Sequence, residues 1–186
     1  MNEECKDVGK EETTEVSADV FDLGEDRLPL SVVICTYNRA ELLGMALESL
    51  VWQTLDRGKF EVIVIDDGSS DATRQCVELF SDSLPVKYFF QNNAGLSSAK
   101  NHGIYAAQGR IIFFMDDDDT ASSTLLEEHL ITHTKYPAKN YAVLNYTRWA
   151  PGLFVTPLMH FITEVGCFLR SSCETGRVAV CIQCTS

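Results

Sequence analysis

Four short apolar runs organise the middle of the chain: Leu30-Ser-Val-Val-Ile-Cys-Thr36, Glu61-Val-Ile-Val-Ile-Asp66, Val86 to Phe90, and Ile111 to Met115. They are continuous rather than alternating, the pattern of strands buried on both faces. Between the first two, Leu43, Leu47, Leu50 and Val51 recur at helical spacing. After the second, Asp66-Asp-Gly-Ser-Ser-Asp71 reads as a turn and helix cap, and Ala72, Cys76, Leu79 and Phe80 share one helical face. Asn93-Ala-Gly95 reads as a turn, residues 96–108 as a helix with Gly109 as its terminating residue, and Thr124-Leu-Leu-Glu127 as a capping box opening another helix. Tyr141 to Tyr146 is a candidate fifth strand. This β-α-β-α-β alternation predicts an α/β fold, a Rossmann-like, mostly parallel sheet with helices on both faces.

Composition changes that picture mainly at the ends. The 186 residues are 45% apolar, enough to bury a core, and the net charge is −12. Residues 1–29 hold ten acids against Lys6, Lys10 and Arg27, so −7 of that charge belongs to the N-terminal stretch and −5 to the rest. Residues 1–29 are therefore expected to be a disordered acidic tail, 30–150 the folded core, and 151–186 an atypical C-terminal segment. An acidic chain without a basic patch argues against nucleic acid as a partner. With no basic and apolar leader at the N-terminus, the expected setting is cytoplasmic, which keeps the seven cysteines reduced. Cys35 and Cys76 read as small buried hydrophobes, and Cys181-Ile-Gln-Cys184 is a lone C-x-x-C near the chain end. Residues 153–169 are the candidate for peripheral membrane contact, because the run is apolar but holds Pro157, His160 and Glu164 and falls short of a span.

The chemistry-bearing residues fall at the strand ends. Asp116, Asp117, Asp118 and Asp119 follow the fourth run directly, and crowded carboxylates become favourable around a divalent cation or several donors. Mg2+ or Mn2+ fits such oxygen ligands, usually with one or two carboxylates plus substrate phosphates. The first and second runs end in Thr36-Tyr37-Asn38-Arg39 and Asp66-Asp67, and in open α/β sheets ligands bind outside those carboxyl ends.

Four segments in this order, Ser31-Val-Val-Ile-Cys-Thr-Tyr-Asn-Arg39, Val64-Ile-Asp-Asp-Gly-Ser69, Asn93-Ala-Gly-Leu-Ser-Ser-Ala-Lys-Asn-His-Gly103 and Phe114-Met-Asp-Asp-Asp-Asp119, resemble the family 2 glycosyltransferases of the GT-A fold. The resemblance covers residues 30 to about 145. It implies transfer of a sugar from a nucleoside-diphosphate sugar, with UDP the expected nucleotide, to an acceptor hydroxyl with inversion and a divalent metal. It places Thr36, Tyr37 and Arg39 around the base, Asp67 at the pyrimidine edge, and Lys100 near base or phosphate. Asp116 and Asp117 would meet the donor, and Asp116, Asp118 and Asp119 the metal.

The resemblance weakens after Asp119, where no aspartate remains and the acids are Glu127, Glu128, Glu164 and Glu174. Glu164 is the remaining general-base candidate, so the catalytic base is unassigned, and the acceptor half is expected to be truncated or altered. Two other readings stay open. One is a nucleotide-sugar-binding module with little or no transfer. The other is a phosphohydrolase or nucleotidyl-transfer enzyme using the same carboxylates, which leaves the segments at 36–39 and 93–103 without a role.

Overall fold

The structure, a computed structural model, describes residues 28–137, 142–146, 149, 154–160 and 180–183. The four apolar runs form one parallel sheet of β1 (Leu30–Thr36), β2 (Phe60–Asp66), β3 (Val86–Phe90) and β4 (Ile111–Asp116) in the order β3-β2-β1-β4. The chain steps from β1 outward to β3 and then returns to the other side of β1. Right-handed crossovers require the helices of the outward steps and of the return to lie on opposite faces. They do: α1 (Ala40–Val51) and α2 (Thr73–Glu78) share one face with α4 (Leu125–Lys135), and α3 (Leu96–Ala106) covers the other.

Each strand serves both layers by alternation. Val32 and Ile34 of β1, Val62 and Val64 of β2, and Phe113 and Met115 of β4 meet Leu43, Leu47 and Leu50 of α1 and Leu126 of α4. Val33, Ile63 and Ile65 point the other way, onto Ala99 of α3. Full burial of each such aliphatic side chain contributes about 1.5–3 kcal/mol, so the sheet is the stable frame of the molecule. Gly103 permits the close approach of α3, since a Cβ there would collide with the Val33 side chain.

The ends of the strands are staked by polar groups. At the N-terminal edge the buried Glu61 accepts from Ser31 Oγ (2.6 Å), Lys87 Nζ (2.8 Å) and the Gln108 N–H (2.7 Å). Burial raises its carboxyl's pKa, but Lys87, Ser31 and Gln108 outweigh that and hold it below the ordinary value of 4.5.

Several local expectations change. Residues 143–146 do form a strand, β5 (Val143–Tyr146), but it pairs in parallel with β6 (Val180–Gln183) in a separate two-stranded sheet instead of extending the main one. Gly109 does not terminate α3, which ends at Ala106 with an extended Ala107 after it. Gly109 is small because its Cβ would stand 2.5 Å from the backbone of Leu30 and Ser31. The Thr124–Glu127 capping box does not form: Gln53 Oε1 accepts the Leu126 N–H (3.1 Å), while Glu127 accepts from Thr54 Oγ1 (2.7 Å). Tertiary partners have replaced the local pair. On α2 the buried residues are Thr73 and Val77, and Leu79, just past the helix, is 81% exposed.

The short helix α5 (Pro157–His160) and the exposed Phe154 and Leu158 are the described part of the run at 153–169. No helix among the described residues is long and apolar enough to cross a membrane. Residues 1–27, Glu164 and Cys184 lie outside the described residues.

Candidate functional site

Register brings the strand-end residues level. Thr36 is paired with Asp66, and Cys35 with Asp116, so the loops leaving β1, β2 and β4 open at one height. Between β1 and β4 the chain direction across the sheet reverses, the switch point at which open α/β sheets form their crevices. A cleft of about 410 Å³ lies there, lined by Cys35, Thr36, Tyr37, Arg39, Asp67, Leu96, Ala99, Asp116, Asp117 and Asp118.

The loop after β1 is locked to the loop after β2. Asn38 adopts φ 53°, a left-handed conformation that asparagine tolerates. Its Oδ1 accepts from the Ser70 N–H (2.8 Å), and its own N–H donates to Ser69 Oγ (2.8 Å). Asp66 supports the same turn by accepting from the Ser69 N–H (2.7 Å) and Tyr88 OH (2.6 Å). Asp71 joins α2 to α1, accepting from the Thr73 and Ala40 N–H groups. These bonds fix where Tyr37, half exposed at the cleft wall, presents its ring.

Asp67 turns toward the loop that precedes α3 and does not cap α2. Its Oδ1 accepts from Gln91 Nε2 (2.7 Å) and the Ala94 N–H (2.9 Å), and its Oδ2 from the Gly95 N–H (2.8 Å). Burial opposes its charge, but these donors together hold the carboxyl below its ordinary value of 3.8. Gln91 Oε1 in turn meets His102 Nδ1 (3.0 Å), and because Gln91 spends its amide N–H on Asp67, that ring nitrogen is the donor. Asp67 is thus an ionised group on a preset rim, backed by two side chains, Gln91 and His102, whose role no local pattern announces.

The four aspartates separate into different environments. Asp117 is buried, with Oδ2 accepting from Thr36 Oγ1 (2.8 Å) and Oδ1 from Arg39 NH1 (3.1 Å). Asp118 is half exposed, and its Oδ2 accepts from the same Arg39 nitrogen (3.3 Å). Asp116 is exposed at the end of β4 and faces the cleft. Asp119 lies outside the lining; burial first, then the charges of Asp116 and Asp118, push its carboxyl above the ordinary 3.8. At the floor, burial pushes the Cys35 thiol up to about 11, which keeps it protonated and inert.

Arg39 lines the cleft beside Thr36 and Tyr37, and its guanidinium is paired with Asp117 and Asp118. Lys100 does not line the cleft: its ammonium lies over the Phe114 ring, 5.6 Å from the centroid, on the α3 side of β4. The Leu96 end of α3 does reach the cleft; Asp67 takes the N–H of its N-cap residue Gly95, and a glycine there has no side chain of its own to cap the first-turn N–H groups that follow.

The donor set suits a hard divalent cation. Asp116 and Asp118 are carboxylates at one wall, and no group of three or more His, Cys, Asp or Glu side chains among the described residues forms a ready cage. Mg2+ and its like are normally completed by substrate phosphates rather than by an all-protein cage, so two carboxylates facing an open cleft fit.

The family model "Glycosyl transferase family 2" matches residues 31–186. The chain is 42% identical over 113 residues to validoxylamine A glucosyltransferase of Streptomyces hygroscopicus subsp. jinggangensis, a match covering 59% of this chain and 27% of that protein. It is 40% identical over 99 residues to cholesterol galactosyltransferase of Borreliella burgdorferi, covering 53% of this chain and 27% of the relative. Among solved structures, S. aureus TarS residues 1–349 in complex with UDP-GlcNAc superposes with a TM-score of 0.62 at 28% identity, covering 69% of this chain and 37% of that one. The matched region therefore spans about a quarter of the length of these curated relatives.

Proposed function

The chain belongs to glycosyl transferase family 2 and has the α/β GT-A fold, and on that footing we propose that its cleft binds a nucleoside-diphosphate sugar, UDP-linked, for transfer of the sugar to an acceptor hydroxyl with inversion. The observation that carries the reading is the convergence of Thr36, Tyr37, Asp67, Asp116 and Asp118 on one cleft at the switch point of the sheet. Tyr37 offers the flat surface a base requires. Asp67, ionised and fixed by Ala94, Gly95 and Gln91, accepts an N–H from the pyrimidine edge. Asp117 is assigned a supporting part, since both of its oxygens are engaged inside the protein.

Asp116 and Asp118 would hold Mg2+ or Mn2+. Such an ion, when bound, supplies Lewis-acid stabilisation of the negative charge that grows on the departing diphosphate. The first turn of α3 adds oriented N–H groups to the same side of the cleft.

A second reading is a donor-binding module with little transfer. It is favoured by the carboxylates that follow Asp119 among the described residues: Glu127 is tied to Thr54, and Glu127 and Glu128 both lie in the first turn of α4, outside the cleft lining. A donor-consumption assay with UDP-sugars and Mn2+ separates the two. Release of free sugar above the background rate, or its transfer to an added acceptor, supports the enzyme. Donor binding without turnover supports the module, and absence of donor binding contradicts both.

A further inference from the structure

We infer that Arg39 is the resident counter-cation of the cleft, a positioning residue that occupies the aspartate block and holds off a free divalent cation. The inference rests on the assignment of Asp118 as a metal carboxylate under the proposed function.

One guanidinium nitrogen bridges two of the four adjacent acids, at 3.1 Å from Asp117 and 3.3 Å from Asp118. Arginine cannot discharge at any ordinary pH, so this is a permanent positive charge. Its origin is equally fixed. Arg39 stands directly after Asn38, whose left-handed backbone is held by Ser69 and Ser70, and directly before Ala40, whose N–H is bound by Asp71.

The two contacts differ in kind. Asp117 is buried and retains Thr36 on its other oxygen, so the Arg39–Asp117 contact anchors the side chain. In the Arg39–Asp118 contact both side chains are about half exposed, at 51% and 52%, and such pairs are weak and screened. A diphosphate is a stronger partner for this guanidinium than Asp118 is, because it carries more negative charge and can accept two parallel N–H bonds, whereas Asp118 accepts one through a single oxygen. Arg39 therefore offsets one of the block's negative charges and can release Asp118 when a diphosphate enters. A divalent cation alone meets both the occupied Asp118 oxygen and the repulsion of the adjacent guanidinium.

The test is Mn2+ binding to the full chain without nucleotide, followed by the electron paramagnetic resonance signal of free Mn2+. Arg39→Gln and Arg39→Met should each bind Mn2+ about tenfold more tightly than wild type, the effect of removing one nearby unit charge in a water-like medium. Arg39→Lys, which keeps the charge, should stay near wild type. The gain should disappear in Arg39→Gln/Asp118→Ala, which distinguishes the cleft from the other acids of the chain. A merely structural role for Arg39 predicts weaker or unchanged Mn2+ binding in the uncharged variants, and that result overturns the inference. So does a gain that survives the loss of Asp118. Because no nucleotide is present, failure of UDP to bind wild type would contradict the proposed function without affecting this outcome.

Discussion

Thr36 and Asp117 stand 81 positions apart and share a 2.8 Å hydrogen bond between two buried side chains. The bond ties the end of β1 to the residue just past the end of β4, across the switch point where the cleft opens. Asp117→Ala would leave the Thr36 hydroxyl without its acceptor and Arg39 without its anchor. The expected loss is about 1–3 kcal/mol in chemical denaturation, with Asp117→Asn losing less because its amide oxygen can still accept from Thr36. Equal stability of Asp117→Ala and wild type would show that the bond does not brace the cleft.

Gly103 sets the distance between α3 and the sheet. Its missing Cβ is the space taken by the Val33 side chain, which is buried and branched and has little room to yield. Gly103→Ala should destabilise by about 1–3 kcal/mol through overpacking, read as a lower unfolding midpoint. Since α3 also carries the Leu96 edge of the cleft, the same variant should weaken UDP binding. A substitution that changes neither would mean that α3 can shift without cost.

Acid should loosen the molecule in two stages. Burial, aided by His133, holds the His129 imidazole below its ordinary 6.5 against the opposing effect of its 2.6 Å bond to Asn145. The unfolded chain therefore takes up that proton first, and stability is lost as pH falls below about 6.5. Glu61, Asp67 and Asp71 are held below their ordinary values by their donors, so their contribution is complete above those values and is lost as pH falls below 4.5 and then 3.8. Thermal melts across pH 3–8 should show both losses, with His129→Gln reducing the first. A single loss confined to pH below 4.5 would contradict the account of His129.

Asp118 has one exposed ion pair and no buried role. Asp118→Ala should leave stability within about 0.5 kcal/mol of wild type while removing the effect of Mn2+ on UDP affinity. Titration of UDP into the variant with and without Mn2+ checks this. A full metal response in the variant would move the metal assignment elsewhere.

The sheet was readable because its strands are continuous apolar runs, and Leu43, Leu47 and Leu50 declare the buried face of α1 by spacing alone. Thr36, Tyr37, Arg39, Asp67 and the first three aspartates could be placed in one cleft because they follow strand ends, where parallel topology gathers them. What the sequence left unread is what depends on partners distant along the chain. Thr124 and Glu127 have capping-box spacing, yet Gln53 and Thr54 supply the bonds. Gly109 follows a helix but answers to Leu30 and Ser31. Gln91 and His102 matter to Asp67 only through the fold, and Asn38 carried just the weak signal of a left-handed-tolerant residue between strand and helix. Within the strand expected at Tyr141 to Tyr146, residues 143–146 form one, but their partner, 180–183, lies beyond any local pattern.

The central claim is that the cleft between β1, β2 and β4 is a metal-assisted site for a UDP-sugar. Isothermal titration calorimetry of UDP into the full chain, with Mn2+ and then with a chelator, tests it most directly. The account predicts one-to-one binding that is markedly tighter with Mn2+ and is lost in Asp67→Ala. UDP binding that is absent under both conditions, or indifferent to Mn2+, would contradict it.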